Sequence, residues 1–154
     1  MSFKPKSFGA TATLAFALLL TFLSATASAQ AKREKTLYQR LGGYDALAAV
    51  TDDFIGRLVG DSRFEKFFSG FSVDSKKKIR QHLLDQLCVA TGGPCVYLGR
   101  DMKTTHGGLG ITEAQWDAGV GHLSDSLDKF KVGKKEKGEV LAFVSTLKKD
   151  IVEK

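Results

Sequence analysis

Proline is scarce in this 154-residue chain, with two in all, and tryptophan scarcer still, with one. So little proline, with 43% of residues hydrophobic and 26% charged, excludes a disordered chain; sixteen glycines without a repeat exclude a collagen-like one. Two cysteines, Cys88 and Cys95, are too few for a thiolate metal site, which takes about four N or S ligands. The sequence has no Gly-x-Ser-x-Gly, no P-loop, no dinucleotide fingerprint and no Glu-x-x-His pair, so no local motif supports a Ser/His/Asp triad or the other three familiar plans. It also lacks strand-like alternation, an Asn-Gly hairpin signal and any internal repeat. The lysines are scattered, with runs only at Lys76-Lys77-Lys78 and Lys134-Lys135, which argues against nucleic acid as a partner.

What remains is a short leader and one helical domain. Lys4 and Lys6 precede an uncharged stretch from Ser7 to Ala31 whose apolar centre runs from Leu14 to Leu23. Ala27-Ser28-Ala29 and the charged run Lys32-Arg33-Glu34-Lys35 follow. These are the parts of a secretory signal peptide, and the apolar centre falls short of the ~20 residues that span a bilayer. The expected organisation is a signal peptide over 1–29, a charged linker over 30–35 and one domain over 36–154. Export to the periplasm or outside the cell follows, without stable membrane insertion after cleavage. Removing residues 1–29 takes away two lysines and no acid, leaving 21 basic and 17 acidic side chains, a net charge of +4. In an exported protein Cys88 and Cys95 form either a disulfide or two free thiols, since separation in sequence does not give the Cα distance.

The periodicity after residue 36 predicts an all-α fold. Leu37–Leu41 reads as a short helical piece ended by Gly42-Gly43. A second helix, with Asp45 as its cap, carries Leu47, Val50, Phe54, Leu58 and Val59 at three- and four-residue steps. Phe64, Phe67, Phe68 and Phe71 follow, either as core aromatics or as a wall against a flat cofactor. A third helix after Asp74-Ser75 carries Ile79, Leu83, Leu84 and Leu87 and stops at Gly92-Gly93-Pro94. Period is then lost, apart from one helical turn at Met102–His106. Thr112 and Gln115 form a capping box that opens a fourth helix bearing Trp116, Val120, Leu123 and Leu127. A last helix runs from about Lys134 to Val152.

Three histidines are the chemical candidates: His82, His106 and His122. His106 stands four residues after Met102 on the isolated turn and is followed by Gly-Gly-Leu-Gly. One neutral imidazole on an irregular segment is what a single axial bond to haem iron requires, because a porphyrin already supplies four nitrogens. An ordinary loop histidine is the alternative. His82 points either into a pocket or to solvent, and His122 reads as a packed or capping histidine.

The residues Leu37-Tyr38-Gln39-Arg40-Leu41-Gly42-Gly43, Asp53-Phe54, Phe67-Phe68, Gly92-Gly93-Pro94, Tyr97-x-Gly99-Arg100-Asp101-Met102 and His106-Gly-Gly-Leu-Gly-Ile111-Thr112 resemble the group I truncated haemoglobins. Order and spacing correspond over roughly residues 36–152. The resemblance implies a two-over-two helical sandwich around one haem b, with His106 as the proximal iron ligand. It implies that Phe68 packs on the porphyrin, that Phe54 stands at the distal wall, and that Ile55, Ile79, His82, Leu83, Leu87, Tyr97, Met102, Ile111 and Trp116 complete the pocket. The implied function is reversible binding of a diatomic gas: O₂, NO or CO.

Departures from the family pattern bear on that function. Ile55 stands where the family places a Tyr whose hydroxyl hydrogen-bonds the gas. Its loss removes about 1.5–3 kcal/mol of stabilisation. With the alignment anchored at Gly92-Gly93, Ile79 and Leu83 occupy positions that often carry Gln. His82 then matches a histidine that in some members takes the sixth iron position. A bis-histidyl haem would favour periplasmic electron transfer with a redox partner, or redox and gas sensing, over gas storage. Reaction with NO or peroxide is compatible with the pattern, though no dedicated catalytic motif or reductase site is present. A haem-free helical interaction module is the reading from a different class. The pattern leaves oligomeric state open.

Overall fold

The computed structural model describes residues 34–154, so the leader and most of the linker lie outside the described residues. Among the described residues every regular element is a helix: α1 (Leu37–Arg40), α2 (Tyr44–Gly60), α3 (Glu65–Phe68), α4 (Val73–Ala90), α5 (Met102–His106), α6 (Glu113–Lys129), α7 (Lys134–Thr146) and α8 (Lys148–Ile151). None of them is long and apolar enough to cross a membrane.

The centre is α2, which packs on α4 along one side and on α6 along another, while α6 carries α7. Leu47 and Val50, three residues apart, share one face of α2, and each belongs to a different core cluster. Leu47 meets Leu84 and Cys88 of α4, with Tyr38 and Cys95 packed around them. Val50 meets Leu123, Leu127 and Val140, with Phe54, Val132, Leu141 and Val144 around them. Leu84 and Leu127 are almost fully enclosed, and burying each contributes about 2–3 kcal/mol.

Cys88 and Cys95 form a disulfide, Cα to Cα 5.9 Å. It ties the end of α4 to the segment leading into α5. Tyr38 anchors the N-terminal piece beside it, donating its amide to the Thr91 carbonyl at 2.7 Å. A Cβ on Gly93 would sit 2.6 Å from both Cys88 Sγ and the Tyr38 ring, so only glycine lets these three groups meet.

Local chemistry moved three boundaries from those expected. Gly43, not Asp45, caps α2, and Asp45 lies in its first turn. Ser72 caps α4 by accepting the Ser75 amide at 3.1 Å, so the helix begins at Val73, ahead of Asp74-Ser75. The last helix divides at Leu147. Ser145 and Thr146 hydroxyls donate to the carbonyls of Leu141 and Phe143, competing with the backbone ladder and turning the chain into α8. The Thr112–Gln115 capping box and the Met102–His106 turn are as expected.

Ion pairs fix the helices laterally. Asp53 on α2 accepts from Arg57 at 2.7 Å, from Ser126 at 2.8 Å and from Lys129. Asp61 accepts from Arg63 and lies 2.8 Å from His122 Nε2, which makes His122 a packing and pairing group against Phe64. Arg57 foremost, then Lys129 and Ser126, hold the Asp53 carboxyl far below the usual range; Arg63 foremost, its amide and His122 do the same for Asp61.

Two predictions follow from this packing. The disulfide closes a loop with a sequence separation of 7, so reducing it should cost about 2–3 kcal/mol and lower the melting temperature. An unchanged melt under reductant would contradict the bridge. Both aspartates have folded pKa values depressed from the 3.8 reference, so their stabilisation is complete above that value and is lost as pH falls below it. Thermal melts from pH 6 to pH 2 should show this decline, and Asp53→Asn should flatten it while lowering stability at neutral pH.

Candidate functional site: the His106 segment and its surroundings

A short helix holds His106. Asp101 caps α5, accepting the Thr104 amide and the Thr104 hydroxyl, both at 2.8 Å. Those two contacts, the amide first, hold the Asp101 carboxyl below its ordinary range. A carboxylate at a helix start also suits the local dipole. At the other end His106 is half-buried, and its Nδ1 lies 2.9 Å from the Met102 carbonyl one turn back. A carbonyl only accepts, so Nδ1 is the donor in this contact, and in the neutral ring the Nε2 lone pair is left for another partner. Metal-binding imidazoles are oriented by this kind of second contact.

One stripe of α4 carries three of the expected lining residues. Ile79 and Leu83 are half-buried and Leu87 is buried, each four residues from the next. None can donate a hydrogen bond. His82 lies off that stripe, is exposed, and meets the Tyr97 ring edge-on with centroids 6.2 Å apart. The Tyr97 hydroxyl donates to the Arg100 carbonyl at 2.6 Å, and burial, followed by the Asp101 charge, raises its pKa. The disulfide therefore links α4 to the segment whose tyrosine touches His82.

The remaining expected residues divide between core and rim. Phe54 packs on the α2–α6–α7 core, while Ile55 beside it is half-buried. Phe68 is half-buried and meets the exposed Phe71 edge-on at 6.5 Å. Phe64 is the member of the aromatic quartet that enters the interior, against Phe67 and His122. Ile111 is buried just after the loop that follows His106, and Trp116 is half-buried in the first turn of α6. Sequence reasoning missed Glu153, which reaches that loop from the C-terminal tail; an acid in a terminal run carries no local signal of such a contact.

The bacterial-like globin family description matches residues 36–153. The chain belongs to that family. Its relatives include a group 1 truncated hemoglobin from Mycolicibacterium paratuberculosis, 31% identical over 116 residues that make up 75% of this chain and 83% of that protein. One from Nostoc commune is 32% identical over 119 residues, 77% of this chain and 98% of that protein. Among solved structures, the Fe(III) truncated hemoglobin of Tetrahymena pyriformis superposes with a TM-score of 0.70 at 27% identity, covering 78% of this chain and all of that one. The 2/2 hemoglobin of Synechococcus sp. PCC 7002, in the cyanomet state with covalently attached heme, gives the same TM-score, identity and 78% coverage of this chain.

The resemblance to group I truncated haemoglobins and the all-α truncated-globin fold are thus both found. Haem is the cofactor of this globin family, and membership implies binding of a small gas through it. The donor set fits. Among the described residues no three His, Cys, Asp or Glu side chains converge on a metal-sized site. One oriented imidazole with its Nε2 lone pair available suits a metal that arrives with four nitrogens of its own.

Proposed function

We propose that His106 Nε2 would hold haem b in this globin and that the haem would bind a diatomic gas (O₂, NO or CO). The observation that carries the reading is the hydrogen bond from His106 Nδ1 to the Met102 carbonyl, which selects the tautomer able to ligate. When bound, haem supplies an iron coordination position for the gas. His106 would supply the proximal imidazole, and Phe68, Leu87, Met102, Ile111 and Trp116 would supply apolar surface for the porphyrin. Ile55, Ile79 and Leu83 supply a distal wall with no donor. The Tyr97 hydroxyl, already donating to Arg100, adds none. A gas held there lacks hydrogen-bond support, which favours CO, NO or weakly retained O₂ over oxygen storage.

His82 is the candidate second ligand. Its exposure and its contact with Tyr97 favour the one-histidine reading. The disulfide supports the proposal that the protein is exported, because such bridges persist in oxidising compartments.

His106→Gly should lose stable haem, and added imidazole should restore a normal Soret band. Retention of the wild-type spectrum without imidazole would overturn the assignment. Ile55→Tyr should slow O₂ dissociation roughly tenfold to a hundredfold by restoring one hydrogen-bond donor. Stopped-flow displacement by CO reads that rate; an unchanged value would mean that Ile55 does not face the gas.

A further inference from the structure

The loop after His106 is short of internal hydrogen bonds. Gly107 donates back to Lys103 and Leu109 to His106, at 2.9 and 3.1 Å. The amides between and after them, those of Gly108 and Gly110, have a different partner. Gly108 donates to Oε1 of Glu153 and Gly110 to Oε2, each at 2.6 Å. Both glycines have positive φ, +81° and +62°, a conformation that other residues rarely take. It turns their two N–H groups toward a single carboxylate.

The tail adds backbone pairing on the same side. Glu153 and Lys154 amides donate to the Ile111 carbonyl at 2.9 and 3.3 Å, and the Glu113 amide donates to the Lys154 carbonyl at 3.0 Å. Upstream, α8 packs against α5, the helix whose last residue is His106. The C-terminal tail thus grips the histidine-bearing segment from behind, over both its helix and its loop. Hydrogen bonds to a charged acceptor are the stronger kind, and two amides share one here. Their contact holds the Glu153 carboxyl below its ordinary pKa, the Gly108 amide contributing most.

We propose that Glu153 is a positioning residue for the proximal imidazole: by bridging the Gly108 and Gly110 amides it fixes the loop after His106 and, through it, the angle at which Nε2 meets iron. The inference rests on the His106 reading above. The Met102 carbonyl sets the rotation of the ring; the Glu153 clamp sets the position of the backbone that carries it. Freed from the clamp, the segment reverts to a glycine-rich loop whose nearest restraints are two internal bonds.

The test uses the full haem-loaded protein as wild type, Glu153→Ala and Glu153→Gln, with His106→Gly mixed with hemin in the same way. Three quantities are read: amide exchange at Gly108 and Gly110, haem transfer to an excess of a scavenging apoglobin, and the iron–histidine stretching band just after photolysis of the CO complex. That band reports the ligand's angle and strain, which general stability does not move. Glu153→Ala should lose protection at both glycines, shift or broaden the band, and release haem roughly tenfold faster. Glu153→Gln keeps the shape and one neutral acceptor oxygen, so it should fall between the two, and it carries the test if the alanine variant fails to fold. Lost protection with an unchanged band and haem-release rate would overturn the positioning role, and unchanged protection would overturn the clamp itself. His106→Gly separates the two levels of argument. If it loses the band while Glu153→Ala changes nothing, only this inference fails; if it keeps the wild-type band, the proximal assignment fails and this inference with it.

Discussion

Two residues one helical turn apart on α2 hold this molecule together. Leu47 is committed to α4 and Val50 to α6 and α7, so one helix is the common wall of both core clusters. The arrangement leaves the α4 stripe of Ile79, Leu83 and Leu87 beside the interface with α2, and Ile55 one turn further along α2 from Thr51. A domain this small has little interior to divide. The disulfide and the lateral ion pairs supply part of the stability that a larger core would otherwise give.

His106 is held differently from the core. Five residues of helix cannot be stable alone, so α5 depends on restraints at both ends. Asp101 caps its start, the Met102 carbonyl fixes the imidazole proton, and α8 with the C-terminal tail covers its far side. Each restraint acts on a separate freedom: helix formation, ring tautomer and backbone position. An isolated turn is thereby restrained from both ends rather than by core packing.

Much of this was legible in the amino-acid pattern. The isolated turn at Met102–His106 showed because glycine and loss of period bracket it, and the Thr112–Gln115 box because capping is a three-residue signal. The division at Leu147 was not legible, since it depends on two hydroxyls turning back to carbonyls rather than on any apolar period. The Ser72 cap lay hidden for a similar reason: Ser72, Asp74 and Ser75 are all competent caps, and geometry chose between them. Whether Cys88 and Cys95 pair required the Cα distance. Glu153 was the furthest from view, since its partners lie more than forty residues away and are backbone amides, which leave no trace in side-chain chemistry.

The central claim is that iron is held by one protein histidine and leaves its other side to a gas. The most direct test is the absorption spectrum of the haem-loaded protein, reduced with dithionite and recorded before and after CO. One histidine predicts a broad high-spin ferrous band that sharpens when CO is added. Sharp α and β bands in the ferrous protein before any gas is present would contradict it, and would make His82 the second ligand to examine.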